Sequence, residues 1–447
     1  MSAETKSIAE INARLAAGEA VVLTAAELKA RVRAGETFTP ASVDVVTTAT
    51  RAVMSGTAAM LSLPVGKGSG SRQGSGQSSG RSSERITGLF LNGVPCLTDF
   101  AVADGHALAI LNGTAESHDN HGRYGGGHVL RDLVEGKSVE AVWVQGGVRH
   151  RHSICLAEMP FARLFTSRNS YQNYMGFTNV KDTASYRNFP HSIFACRPIP
   201  PLAGLASSGS GELNPGENDP GKCVMRPGIR ILVNGAEGTL LGYGTRASAE
   251  QVCFSTTADI KTMDPQYMGG FKTSCGVEVC NSLAVPFPIT SQEILNTIIA
   301  CRDETIQHKI GDFTDRLKLT TVKYSEIWHD APLEVQFDAE RCISCSFQCE
   351  AEYYCPMNAI SWREKTIDQD LCVACGACTA NCPGGAFMGK GWEPRRGLGD
   401  VALLGTTIPI IFRQSNRLRA LRLADLLKER LLGGSFWLVD TDAQCRL

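Results

Sequence analysis

Eight of the 17 cysteines lie between Cys342 and Cys382, and their spacing is the most specific chemical signal in the chain. Cys372, Cys375, Cys378 and Cys382 form the pattern C-x2-C-x2-C-x3-C-P. Three thiolates this close can grip one face of an iron–sulfur cube, while the fourth, turned away before proline, reaches a second cube. Cys342, Cys345, Cys349 and Cys355 supply a second set that also ends in Cys-Pro, with three residues between its second and third cysteines and five between its third and fourth. The spacing predicts one [4Fe–4S] cluster on Cys342, Cys345, Cys349 and Cys382, and another on Cys372, Cys375, Cys378 and Cys355. The looser first set departs from the compact pattern, so spacing alone does not fix its ligation or its potential. Structural zinc needs only four ligands per site and rarely takes this paired form. Two clusters relay electrons one at a time and together supply a pair.

The other chemistry-bearing residues are scattered. Cys155 follows His150 and His152, whose imidazolium forms would activate a thiol. Cys275 and Cys280 lie in "TSCGVEVC". These three are candidate sulfur carriers, or together ligands of an additional [4Fe–4S] cluster with one open iron acting as a Lewis acid. For any one of them, and for Cys96, Cys196, Cys223, Cys253 and Cys301, the plainer role is a small buried apolar side chain. His128 ends "YGGGH" and has an ordinary pKa suited to acid–base work, against the alternative of a half-buried structural histidine. "SSGSGELNPGENDP" gathers hydroxyls, a backbone nest and Glu217, Asn218 and Asp219; it suits an anionic ligand or simple turn chemistry.

These residues need a scaffold. The opening reads helix, strand, helix: Ile8, Ile11 and Leu15 recur at helical spacing, "AVVL" suits a buried strand, and Thr24 and Glu27 form a capping box. Val43–Thr50 is β-branched and reads as a strand. From Ile86 to about Pro288, short apolar runs alternate with glycine, proline and Asn-Gly turns. "SQEILNTIIACRDETI" returns to helical spacing. After the cysteines come a strand, "TTIPIIF", a helix capped by Ser415 and stopped at Gly433 and Gly434, and "SFWLV". The expected fold class is α+β, a mixed α/β body rich in short strands, with an inserted two-[4Fe–4S] module. The domains predicted are 1–334, with a flexible Gly/Ser insertion at 66–83; the cluster module at 335–395; and 396–447, returning to the body.

A net charge of −1 gives no electrostatic reason for a nucleic-acid or anionic-membrane partner. "MSAETKSIAEINARLAAGE" has no apolar core like that of a signal peptide, and no apolar run is long enough to span a bilayer. A cytoplasmic protein is expected, with a homo-oligomer allowed.

"RYGGGHVLRDLVEGKSVEA" and "SSGSGELNPGENDP" resemble signatures of the archaeal and bacterial homocysteine-biosynthesis family. "EINARLAAGEAVVLTAAEL", "VDVVTTAT", "SRNSYQNY" and "LAVPFPIT" fall in the same order, so the resemblance covers most of residues 5–300. The cysteine segment resembles a ferredoxin-like module. Its fusion to the chain, with "IPIIFRQSNRLRALRLADLLKERL" after it, is similar to the methanogenesis-marker branch proposed to finish coenzyme M synthesis. The resemblance implies a sulfurtransferase acting on an aldehyde and on sulfide or a persulfide donor, with an external low-potential electron donor. It implies R–CHO + H2S + 2e− + 2H+ → R–CH2–SH + H2O, which needs the electron pair two clusters supply. Sulfoacetaldehyde to coenzyme M is the leading expectation, aspartate semialdehyde to homocysteine the runner-up, and an electron-transfer subunit that docks a partner the alternative of another class. Arg51, Arg168 and Arg246 would suit a sulfonate, and Glu217, Asn218 and Asp219 complete the expected substrate contacts. Relatives place a persulfide-bearing cysteine after "VDVVTT". Here Ser55 stands near that place, and a hydroxyl cannot carry a persulfide.

Overall fold

The computed structural model describes residues 5–66, 85–103, 105–170, 175–181, 191–248, 253–328, 334–389 and 398–441. The Gly/Ser insertion at 66–83 lies, apart from Gly66, outside the described residues. Strands dominate, as expected, with nine α-helices among the described residues. No helix among them is long and apolar enough to cross a membrane.

A 14-stranded mixed sheet forms the body. Near one end of its strand order, Val45–Val53 pairs with Gly276–Pro288, antiparallel and in register from Val45↔Pro288 to Val53↔Cys280. The first strand runs three residues past its expected end at Thr50, so Arg51 and Val53 are strand residues. β-Branched and small side chains suit this doubly buried pair. The helix Arg417–Leu432 packs on both strands. Its Leu423, Leu427 and Leu431 are fully buried with Val45 and Ala284, each leucine contributing roughly 1.5–3 kcal/mol. That helix is capped by Asn416, not by the expected Ser415: the Asn416 side chain accepts from Arg419 N at 2.6 Å. "SFWLV" does not form a strand.

A six-stranded sheet lies beside the body and includes Gly176–Thr178, Leu205–Ser207 and Thr406–Arg413. Thr406–Arg413 runs parallel to Leu205–Ser207, so the chain does return to its earlier strands after the cysteines. The cysteine segment is closed at its ends by Val335–Phe337 pairing with Phe387–Gly389. Within it, the helices Glu350–Tyr354 and Ala377–Asn381 pack together. Each ends on the last cysteine of its set, Cys355 or Cys382. Ser344 and Ala374, each just before the second cysteine of its set, adopt φ of 47° and 50°. The two halves thus repeat one backbone device. Phe271, Cys280 and Phe412 of the body share a core with Cys355, Cys375 and Cys378.

Candidate active site

The eight clustered thiols separate into two cavities. One is lined by Cys342, Cys345, Cys349 and Cys382. The other is lined by Cys355, Cys372, Cys375 and Cys378. Each cavity thus gathers three cysteines of one set and the last cysteine of the other. The longer interval between Cys345 and Cys349 is absorbed at the surface, where Phe347 is 99% exposed. Apolar walls complete both cavities, with Phe337, Trp362 and Phe387 in the first and Val335, Met357 and Ile367 in the second.

The donor set suits a polynuclear group. All eight cysteines are free thiols. Among the described residues no group of three His, Cys, Asp or Glu side chains is set to hold a single metal ion. Ala359 N donates to Cys355 Sγ at 3.3 Å and Ala386 N to Cys382 Sγ at 3.4 Å, as N–H groups do toward metal-bound thiolates. Lys365 Nζ stands 3.7 Å from Cys342 Sγ. Burial and mutual repulsion hold the Cys375 and Cys378 pKa values well above the usual thiol range. A bound metal would displace those protons.

A third cavity, of about 300 Å³, opens in the body. Its floor is Thr50, Ala52, Val53, Met54 and Ser55, at the end of the strand Val45–Val53. Ser208, Gly209 and Asn214 enter from the glycine-rich loop, and Gln414 from the segment returning after the cysteines. Arg168, Arg246 and Arg316 bring three guanidinium groups, and no Asp or Glu is among the described lining residues. Cys253 is the cysteine in this wall. Burial raises its thiol pKa, opposed by Arg168 and Arg246.

Behind the floor lies a group of buried polar side chains. Arg51 is fully buried, with Nε and Nη1 unpartnered. Burial lowers its pKa, opposed by Cys280 and, more weakly, by Cys375, with Arg131 adding to the lowering. Cys280 is fully buried and its thiol is pushed up to about 11 by burial, against the nearby Arg51 charge. Glu278, two residues earlier, is also buried with Oε2 unpartnered. Its carboxyl is pushed up to about 7 by burial, opposed by Arg168.

Of the residues singled out in the sequence as site candidates, Ser55, Arg168 and Arg246 line the chamber, while Arg51 and Cys280 do not line it. The others go elsewhere. Cys275 is exposed in the turn between Thr273 and Gly276. Cys155 precedes the short helix Leu156–Glu158 after Val148–Ile154, which ends the strand order. Cys155, Cys275 and Cys280 are thus not brought together, and the additional body cluster expected of them has no assembled ligand set.

His128 caps its own helix: Nδ1 accepts from Gly125 N at 3.2 Å, and the ring stacks on Tyr124 at 5.2 Å. Burial, reinforced by Lys272, lowers its pKa to about 4, which makes it a poor proton donor near neutrality. Asn218 accepts from buried Lys29 Nζ at 2.8 Å and donates to Glu212 O and Asn214 O. Asp219 accepts from Cys223, Val224 and Met225 N at 2.7, 3.0 and 2.8 Å. Both side chains spend their hydrogen bonds inside the fold, as turn chemistry. Glu217 is half-buried and does not line the chamber. Sequence reasoning passed over Arg316, Gln414 and Glu278, which carry no local motif, and Cys253, which was one scattered cysteine among several.

A family model matching residues 20–438 gives the class, a sulfur-incorporating enzyme. The chain belongs to the family described as homocysteine biosynthesis enzyme, sulfur-incorporation. It is 34% identical to an uncharacterized protein of Methanothermobacter thermautotrophicus, over 96% of this chain and 94% of that one. It is 29% identical to the L-aspartate semialdehyde sulfurtransferase of Methanosarcina acetivorans, over 72% of this chain and 62% of the relative. A 54-residue stretch, 11% of this chain and 26% of the relative, is 33% identical to an uncharacterized ferredoxin-like protein of Escherichia coli. No solved structure matches the chain.

Proposed function

We propose that this chain forms a thiol reductively, by adding sulfide to an anionic aldehyde and reducing the product, with sulfoacetaldehyde to coenzyme M the best fit. The observation that carries the substrate choice is the chamber wall: three arginines and, among the described lining residues, no carboxylate. Guanidinium groups bind a sulfonate through charge-assisted hydrogen bonds. Aspartate semialdehyde would also bring an ammonium group, and a carboxylate is the ordinary partner for it. The named function of the Methanosarcina acetivorans relative supports the aspartate semialdehyde reading instead, so the two aldehydes are compared directly below.

Arg168, Arg246 and Arg316 would hold the sulfonate, leaving the aldehyde carbon over the floor. Val53, Met54 and Phe194 give that part of the chamber apolar walls and limit water around the reacting carbon. The thiol sets Cys342, Cys345, Cys349, Cys382 and Cys355, Cys372, Cys375, Cys378 would hold two [4Fe–4S] clusters. When bound, these would supply electrons singly, drawn from an external low-potential donor.

Anaerobic assays with sulfide, a low-potential reductant and each aldehyde in turn test this reading. Thiol formed from sulfoacetaldehyde, without a desulfurase, is expected. Homocysteine formed from aspartate semialdehyde alone would overturn the substrate. No thiol from either aldehyde, with reduction of a partner protein instead, would make the chain an electron carrier.

A further inference from the structure

Three polar side chains of the chamber wall each keep one group free of the fold. Ser208, Asn214 and Gln414 are 8%, 2% and 2% exposed, and all three line the cavity. Asn214 caps the short helix Pro215–Asn218, where its Oδ1 accepts from Gly216 N at 2.9 Å. A backbone N–H only donates, so this bond fixes which amide atom is the oxygen and leaves Nδ2 as a donor. Gln414 is held in the opposite sense. Its Nε2 donates to Ile193 O, a carbonyl that only accepts, which leaves Oε1 as an acceptor. Ser208 Oγ serves as either. Asn214 Nδ2, Gln414 Oε1 and Ser208 Oγ have no hydrogen-bond partner among the described residues, and each opens on the cavity rather than into packed core.

All three belong to one end of the floor. Gln414 N donates to Ser207 O at 2.9 Å, and Gly209 N donates to Ser415 Oγ at 2.7 Å, so Ser208 and Gln414 lie on adjoining segments. Asn214 stands in the same loop as Ser208. That loop rests on the floor through Thr50 Oγ1 and Ser210 Oγ, 2.9 Å apart, and the helix Asn214 caps packs on Val45–Val53. Ile193, which holds Gln414, precedes Phe194, and the Arg316 guanidinium lies 5.5 Å from the Phe194 ring centroid. A fixed donor, a fixed acceptor and one of the chamber's three cations therefore share this end.

We propose that Asn214 Nδ2 and Gln414 Oε1 recognise the hydroxyl of the sulfide adduct R–CH(OH)–SH and so favour it over the free aldehyde. This deepens the thiol-forming reading above and rests on it. An aldehyde oxygen only accepts hydrogen bonds, so it satisfies Asn214 Nδ2 and offers Gln414 Oε1 nothing. Addition of H2S forms the C–S bond, opens the C=O π bond and leaves one sulfide proton on the oxygen. The step is R–CHO + H2S → R–CH(OH)–SH, with no electron gained or lost. The new hydroxyl both accepts and donates, and the chamber holds a partner ready for each bond. Complementarity to the adduct rather than to the aldehyde is what accelerates its formation. While the oxygen carries charge during the attack, Asn214 Nδ2 is the donor that stabilises it.

Binding measurements test this without turnover. Full-length, iron-loaded protein is titrated by calorimetry with two pairs of stable ligands: 2-hydroxyethanesulfonate against ethanesulfonate, and homoserine against 2-aminobutyrate. The first of each pair carries a hydroxyl where the adduct does. Wild type should bind 2-hydroxyethanesulfonate about 10-fold more tightly than ethanesulfonate, the worth of roughly one hydrogen bond. Asn214→Asp keeps an oxygen for Gly216 N but removes the donor, so the preference should shrink to about 2-fold or less. Asn214→Ser, an uncharged cap, should do the same. Both should lower kcat for thiol formation about 100-fold, the usual loss for one such donor. Equal affinity within both pairs in wild type, or a preference that both variants keep, overturns the proposal. A preference confined to homoserine and lost in the variants upholds the hydroxyl site and moves the substrate to aspartate semialdehyde. The same loss in a protein that makes thiol from neither aldehyde upholds hydroxyl recognition and strikes the function reading instead.

Discussion

Replacing His128 with glutamine separates a helix cap from a proton donor. The His128 pKa lies at about 4 against an ordinary 6.5, mainly because burial disfavours the imidazolium. The unfolded chain therefore takes up a proton as pH falls through 6.5, while the folded protein does so only near 4. Stability is unaffected by this group above 6.5 and falls as pH drops below it. At about 1.4 kcal/mol per pKa unit, the loss reaches about 2 kcal/mol by pH 5 and about 3 kcal/mol by pH 4. His308, fully buried beside Ser207 and also lowered to about 4, adds a parallel loss that the substitution leaves in place. Urea denaturation of wild type and His128→Gln at pH 7.5 and pH 5.0 would measure the difference. The wild type should lose about 2 kcal/mol more than the variant over that interval. At pH 7.5 the two should be close, since a glutamine oxygen can accept from Gly125 N in the same capping geometry. Parallel losses in both proteins would refute the assigned burial effect. A large fall in kcat with unchanged pH dependence of stability would return His128 to the acid–base role the sequence suggested.

The crossed thiol sets make a pairwise prediction. Cys382→Ser should deplete the cluster site shared with Cys342, Cys345 and Cys349, and Cys355→Ser the other, each removing about half the bound iron. If Cys382→Ser and Cys378→Ser instead produce the same spectrum of the surviving cluster, the crossing is wrong. Asp219→Ala leaves the backbone N–H groups of Cys223, Val224 and Met225 without their acceptor. At roughly 1–3 kcal/mol for each group that stays unpaired, a loss of about 3 kcal/mol or more is expected in denaturation. Unchanged stability with a raised KM would make Asp219 a substrate contact after all.

How much of this was legible in the sequence depends on how far apart the interacting residues lie. The capping box of Thr24 and Glu27 is local and was recoverable, as was the grouping of eight cysteines whose spacing alone constrains which thiols can meet. Ser415 and Asn416 show the limit of such local reasoning. Both are good caps, but Ser415 Oγ is already taken by Gly209 N at 2.7 Å, a residue some two hundred positions earlier. The chamber was the least legible part. Arg168, Arg246, Arg316, Cys253 and Gln414 come from separate segments, and no periodicity or motif marks a residue that becomes functional only when distant strands converge. Asn218 and Asp219 erred in the opposite direction. A polar loop reads as a ligand cradle until its backbone N–H groups and Lys29 are seen to consume its acceptors.

The segment Arg413–Asn416 explains why the cysteines sit where they do in the chain. Arg413 N donates to Cys375 O at 2.8 Å, tying the inner thiol set to the end of the six-stranded sheet. Gln414 then lines the chamber, and Ser415 holds the glycine-rich loop through Gly209. Asn416 N donates to Arg51 O at 3.0 Å, and its side-chain Nδ2 donates to Val373 O at 2.6 Å, between two cysteines of the same set. Four consecutive residues therefore connect the thiols, the chamber wall, the loop and the strand that carries the floor. A cysteine module fused at a chain terminus would need a flexible linker, and its distance from the chamber would vary with that linker. Placed between Ile327 and Thr406, both of which are built into the body, the module is held at two ends, and the wall it shares with the chamber is fixed by short hydrogen bonds. On the proposed reading, electrons passed from this module to the chamber would cross a fixed separation, and a double anchorage would keep it constant.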